Sequence, residues 1–398
     1  MNNKKYILII PLILSLLIIL LSFNFELWIK FWSFLNVPSQ LPPFADLDAI
    51  SRALKSKLDG FNPFYNNPYD LAQKVYIYPS IWLYIFEFLR LDIETNFKLF
   101  CFVVIYIYIF VFLNIFSLLK TKKYQIILIF CFISTSNLLA LERLNNDIII
   151  FILIYFLATS KNNLFKISLF FLSLFAKLYP IFSVFIFLRN KVNLILIILL
   201  SLISLYLIKD EISLLMNNGI EYALLASHGI PSISRAFWYY STRYDFFIDD
   251  NNYSIFKYTL IFLTSIYATI LFLINFKFKN KIIKKDISIV DSLFICGSGI
   301  FIGRFLTFGN FDYALIFLIL TLPYFSRIDN KKLKFLYFFI LFICFNSLLF
   351  EGGIRYSWLY FIKASIIHLF KIIIFSINCL YFGKVINDYL KINFNFKL

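Results

Sequence analysis

Charge is what this sequence has least of. Only 15% of its 398 residues are Asp, Glu, Lys or Arg, and 61% are hydrophobic; a soluble domain carries about 25% charged and about 45–50% apolar residues. With a mean hydropathy of +0.82, an ordinary soluble chain is excluded and a polytopic membrane protein is expected. Cysteine is scarce too. Cys101, Cys131, Cys296, Cys344 and Cys379 all lie inside apolar runs, with no spacing suited to a metal, and read as packing residues. No Walker loop, GxGxxG or HExxH pattern occurs, so soluble nucleotide chemistry has no support, and neither a metal nor another cofactor is expected. The net charge of +16 does not describe a nucleic-acid surface. Its Lys residues sit in short runs between apolar segments, as the positive-inside rule produces.

What is there is a series of apolar segments. A spanning helix needs about 20 apolar residues, and the chain reads as an all-α polytopic bundle of about eleven to thirteen transmembrane helices. The first covers 6–23; no small-residue cleavage site follows it, so a retained helix is expected. Further segments fall at 78–90, 98–118, 124–141, 147–160, 164–176, 178–188, 192–208, 255–276, 287–305, 311–326, 333–350 and 358–382. The basic connections at 120–123, 161, 189–191, 277–285 and 327–332, and the tail after Lys384, are expected to face the cytoplasm. Parity then places 24–77, 142–147, 177–180, 209–254, 304–312 and 351–355 together on the opposite side. The whole chain reads as one polytopic domain with extracytoplasmic loops at 24–77 and 209–254.

Polar residues concentrate on that outer face, and charge at bilayer depth tends to mark function. In the 24–77 loop, apolar residues at 47, 50, 54 and 58 have helical spacing and predict a short amphipathic helix on the membrane surface, ended by Gly60 and the Asn62-Pro63 turn. Asp46, in Phe44-Ala45-Asp46-Leu47, is a candidate general base or an N-cap for that helix, and Asp48 reads as structural. In LERLNND (141–147), Arg143 and Asn146 are candidates for holding substrate, or else Glu142 and Arg143 form an ion pair while Asn146 or Asp147 caps the next helix. Lys177, in AKLYP, is a cation that needs an anionic partner such as a lipid phosphate, or that snorkels to the interface. In GRFLTFGNFDY (303–313), Arg304 is suited to bidentate phosphate binding, and the Gly309-Asn310 turn is expected to expose Asp312. Tyr78, with Tyr76, Trp82 and Trp238, offers aromatic surface for sugar or lipid, or belongs to an interfacial belt.

The pattern FADL…G.NPF..NPYD…YIYPSIWLY, then ERLNND, KLYP and FGNFDYALIFL, resembles bacterial multi-pass proteins related to the polyprenol-phosphate-mannose-dependent mannosyltransferases and, more widely, the GT-C glycosyltransferase superfamily. The resemblance covers nearly the whole chain. It implies a GT-C-like helical bundle in the bacterial cytoplasmic membrane. It also implies transfer of a sugar from a polyprenyl-phosphate donor to a glycan or lipid acceptor of the cell envelope on the extracytoplasmic side. The family's loop acid falls on Asp46, with Asp48 as the fallback. Ala314 stands after Asp312-Tyr313 where similar sequences lead one to expect Arg, which shifts phosphate binding to Arg304.

On this reading Asp46 takes the proton of the acceptor hydroxyl, the sugar inverts, and Lys177, Arg304 and Arg143 stabilise the departing phosphate. A transporter or flippase of a lipid-linked glycan would use the same cations without a base.

Overall fold

The computed structural model describes residues 3–71, 73–91, 95–189, 191–217, 227–243, 250–274, 288–307, 309–350 and 358–394. Helices account for most of them. α1 (Asn3–Leu21), α2 (Phe25–Phe34) and α3 (Ala45–Leu58) are followed by α4 (Ile81–Phe88), α5 (Thr95–Leu118), α6 (Lys122–Phe132), α7 (Thr135–Arg143), α8 (Asp147–Thr159) and α9 (Asn163–Ala176). A 3-10 segment, Tyr179–Arg189, leads to α10 (Lys191–Leu207), α11 (Lys209–Asn217), α12 (Ile230–Arg243), α13 (Asp250–Ile274) and α14 (Ile289–Thr307). A second 3-10 stretch, Asp312–Thr321, runs into α15 (Leu322–Phe325), ahead of α16 (Lys331–Phe345), a 3-10 turn at Ser347–Phe350, and α17 (Trp358–Phe394). Among the described residues the one sheet is an antiparallel ladder, β1 (Ser227–His228) with β2 (Asn310–Phe311), which sets His228 opposite Asn310. Asparagine starts several helices. The side chains of Asn24, Asn162 and Asn330 each accept a hydrogen bond at 3.1 Å from the backbone N–H three residues on, replacing a partner that a helix N-terminus lacks.

Among the described residues four helices are long and apolar enough to cross a membrane: Asn96–Leu118, Asn252–Ile274, Ile289–Thr307 and Trp358–Leu390. The 124–141 segment is two helices, α6 and α7, bent by 48°, and the pair would count as a fifth span. Shorter apolar helices of 10–17 residues lie at Ile9–Leu21, Asp147–Thr159, Asn163–Ala176, Tyr179–Leu188, Leu194–Leu207 and Asp312–Phe325, and the 78–90 segment holds only the 8 residues of α4; at about 1.5 Å per residue these fall short of a hydrocarbon core about 30 Å thick. The 24–77 loop contains α2 as well as the expected amphipathic helix, and the described part of 209–254 holds α11, β1 and α12. The expected connections at 277–285 and 351–355 lie outside the described residues.

The chain divides into two compact units: Met1–Ser117, Leu138–Pro180 and Ile197–Glu221 in the first, Leu118–Asn137, Ile181–Leu196 and Tyr222–Leu398 in the second. In the first unit, the apolar stripe of α3 is used differently from the expectation. Leu47, Ile50 and Leu54 are buried inside the protein, and of the expected stripe Leu58 alone is exposed, because α3 packs on α4 and Ser51 Oγ donates to Leu91 O at 2.9 Å. Trp82 Nε1 donates to Ala176 O at 2.9 Å, tying α4 to α9. In the second unit, α14 packs against Asp312–Thr321 and α17. Gly297 permits the approach to Asp312–Thr321, since a Cβ on it would lie 2.7 Å from Phe317 O, and Gly299 permits an equally close approach of the 179–189 segment, where its Cβ would lie 2.4 Å from Phe182 O.

Candidate functional site

The first unit joins the acidic start of α3 to the LERLNND segment. Phe44 precedes α3 in the left-handed region (φ 65) and no side chain caps the helix, so Asp46 is not an N-cap. Instead Phe44 N donates to Glu142 O at 3.3 Å and Gln40 N donates to Glu142 Oε1 at 2.7 Å. Asn145 then connects two acids: its Nδ2 donates to Asp46 Oδ2, and its Oδ1 accepts from Asp147 N at 2.9 Å. Asp46 is half-buried, and no cation among the described residues lies within ion-pair distance of it. Desolvation raises its pKa above the ordinary carboxylate value; the Arg143 charge, the Asn145 hydrogen bond and the Lys177 charge oppose that shift, and Asp147 adds to it. Asp46 is therefore oriented by the Asn145 amide and has no ion-pair partner among the described residues, a placement compatible with a general base.

Asp48 differs. It is buried and ion-paired one turn along α3 with Arg52, an arrangement that holds the helix. Lys177 has its anionic partner within the protein: it ion-pairs with Asp147, which also accepts from the Tyr179 hydroxyl at 2.7 Å. Arg143 pairs with the buried Glu142 at 3.0 Å, as one of the two sequence readings had it. Asn146 holds the N-cap position of α8 without a side-chain cap bond, and both polar atoms of its buried side chain have no hydrogen-bond partner among the described residues. Tyr78 is half-buried, its ring 5.9 Å from that of Tyr76.

The second unit holds a different constellation. Asp312 is fully buried, which corrects the expectation that the Gly309-Asn310 turn exposes it. The reason is pairing: Lys371 Nζ on α17 donates to Asp312 Oδ2 at 2.7 Å, Ser347 Oγ donates to the same oxygen, and His228 Nδ1 lies 3.4 Å from Oδ1. Lys371 Nζ also donates to Ser227 O at 2.7 Å. Burial drives the His228 pKa down to about 4; Asp312 opposes this, while Arg304 and Lys371 reinforce it. Arg304 is 5% exposed, with its guanidinium 5.9 Å from the Phe317 ring centroid, so it does not stand at an open surface. Asn310 pairs through its backbone with His228; its side chain lies outside the described residues.

The structure thus brings Asp46, Arg143, Asn146 and Lys177 into one unit, and places Arg304 with the buried cluster of the other. No group of three or more potential metal-ligating side chains occurs among the described residues. Sequence reasoning missed Asn145, a neutral amide between charged neighbours, and Lys371, although a lone Lys in HLFKIIIF was a legible signal. No protein family, curated protein or solved structure matches this chain.

Proposed function

We propose that this chain is an integral-membrane glycosyltransferase that transfers a sugar from a polyprenyl-phosphate donor to a glycan or lipid acceptor. Asp46 carries the reading, being hydrogen-bonded by Asn145, half-buried and unpaired by any cation among the described residues. It accepts the proton of the acceptor hydroxyl as that oxygen attacks the anomeric carbon. The C–O bond to phosphate breaks on the opposite face, giving inversion. Arg143 and Lys177 stand near Asp46, each paired with a buried acid, Glu142 and Asp147, and exchange of either acid for the leaving phosphate would stabilise the charge that develops on it. The finer picture belongs to the same proposal: eleven to thirteen crossings, a GT-C-like bundle, the bacterial cytoplasmic membrane, and an extracytoplasmic active face.

A second reading, transport of a lipid-linked glycan, is favoured by the buried Asp312–Lys371–His228 cluster, since ionisable groups inside apolar helices often serve ion coupling. One experiment separates the two. Membranes holding wild type or Asp46→Asn are given radiolabelled polyprenyl-phosphate sugars. Transfer that disappears in the variant at equal protein level supports the transferase and its base, and equal transfer removes Asp46 from the chemistry. No transfer, with lipid-linked glycan crossing reconstituted vesicles, supports the transporter.

A further inference from the structure

The far end of α3 borders a cavity of about 350 Å³, within the size range of small-molecule sites. Its walls come from the last turn of α3, the 60–64 turn and the start of α4. Phe61, Phe64 and Tyr84 supply aromatic surface, and Phe61 and Tyr84 are exposed. Gly60 (φ +87) makes the turn, and nothing lies within 4 Å of where its Cβ would stand. Asn62 Oδ1 accepts from Phe64 N at 3.2 Å; its Nδ2 has no protein partner among the described residues and remains a donor for a ligand.

Charge decides what kind of ligand fits. Lys57, the cation at the cavity, pairs with Glu87 at 2.6 Å and sits 4.6 Å from the Tyr84 ring centroid. Its charge is already matched, so the cavity offers no net positive site for a phosphate. Aromatic faces beside a neutral hydrogen-bond donor suit a sugar ring, which presents C–H faces and hydroxyls. Lys57 is eleven residues beyond Asp46 on one helix, so the two ends stand about 16 Å apart along the axis, too far for a single sugar to reach both.

We propose that this cavity binds a neutral sugar unit of an extended acceptor glycan whose reactive end lies at Asp46; the assignment to the acceptor rests on the transferase reading. The test is binding by the detergent-purified full chain, followed by ligand-observed saturation-transfer NMR with mannotetraose, maltotetraose and chitotetraose as probes. At least one probe is expected to bind wild type. Tyr84→Ala and Phe61→Ala should each weaken binding by roughly tenfold, and Tyr84→Trp, which keeps an aromatic face, should preserve it. If the alanine variants do not fold, Asn62→Leu, at an exposed position, takes their place with the same expectation. Absence of binding by all three probes, equal binding by the pocket variants, or competition by inorganic phosphate overturns the proposal. A chain that transfers sugar but binds no probe fails this proposal alone; one that binds a probe through Tyr84 yet transfers nothing leaves the pocket standing and fails the transferase reading.

Discussion

Lys371 and Asp312 form an ion pair at 2.7 Å in which neither side chain has any solvent exposure. The pair joins α17 to the start of the Asp312–Thr321 segment, and Lys371 reaches on to the carbonyl of Ser227. Removing one partner of such a pair leaves a buried charge uncompensated, at about 3–5 kcal/mol. Lys371→Met should therefore unfold in detergent at a clearly lower temperature than wild type. Lys371→Met with Asp312→Leu should recover much of the loss. A single variant as stable as wild type would show that the pair is not formed.

Asp46→Asn keeps an oxygen for the Asn145 amide but cannot take up a proton. Transfer should fall by about 10²–10⁴-fold, the usual contribution of a general base. Burial raises the folded-state pKa of Asp46 above 3.8, which has two consequences. Transfer by wild type should increase with pH through a value above that of an exposed aspartate. In addition, the stability that the protonated form contributes is fully present below 3.8 and is lost as pH rises through the folded pKa. Thermal melts at neutral pH should consequently find Asp46→Asn slightly more stable than wild type, although inactive.

Lys177 has both a structural partner and a proposed catalytic duty, and stability measurements separate them. Lys177→Met strands the buried Asp147 carboxylate, so a loss of about 3–5 kcal/mol is expected. Lys177→Met with Asp147→Asn should restore the melting temperature without restoring transfer. Restored transfer in the double variant would show that the cation acts only through folding.

His228 sets an acid limit on the second unit. Its pKa falls from 6.5 to about 4 in the folded chain because burial disfavours the charged ring. The resulting stability is complete above 6.5, since the ring is then neutral in both states, and is lost as pH falls from 6.5 towards 4, by roughly 3 kcal/mol. Melting temperature followed across that window should show the decline in wild type and a flatter profile in His228→Gln.

Gly299→Ala places a methyl 2.4 Å from the Phe182 carbonyl oxygen, a backbone atom that cannot swing aside. Overpacking of this kind typically costs about 1–3 kcal/mol, and chemical denaturation should report it. An alanine variant with wild-type stability would mean that α14 and the 179–189 segment do not pack as closely as described.

Much of the local structure was legible in the residues, and much of the pairing was not. The 47, 50, 54 spacing gave α3 within two residues of its start, but the same stripe suits a membrane surface and a protein face, and only the packing on α4 distinguishes them. Lys177 was recognised as a cation in need of an anion; its partner, Asp147, is thirty residues away in sequence and no local pattern links them. Gly309-Asn310 was read as a turn exposing Asp312, whereas Asn310 lies in the β2 ladder and where Asp312 points depends on Lys371, 59 residues further on. Asn145 escaped notice because an amide signals nothing until two acids flank it in space. The expectation of eleven to thirteen crossings came from hydropathy alone, which registers an apolar segment of 13 residues as readily as one of 23.

Two of the long apolar helices should drift in different ways as related sequences diverge. α14 meets its neighbours through Gly297 and Gly299, where a hydrogen atom is the largest group that fits. Exchange at those positions should therefore be rare, because any Cβ would press on a backbone oxygen. α13 presents most of its side chains outward, and there Leu, Ile, Phe and Val can exchange freely as long as the composition stays apolar. An ancestor reconstructed from distant descendants would be sharply defined along α14 and blurred along α13.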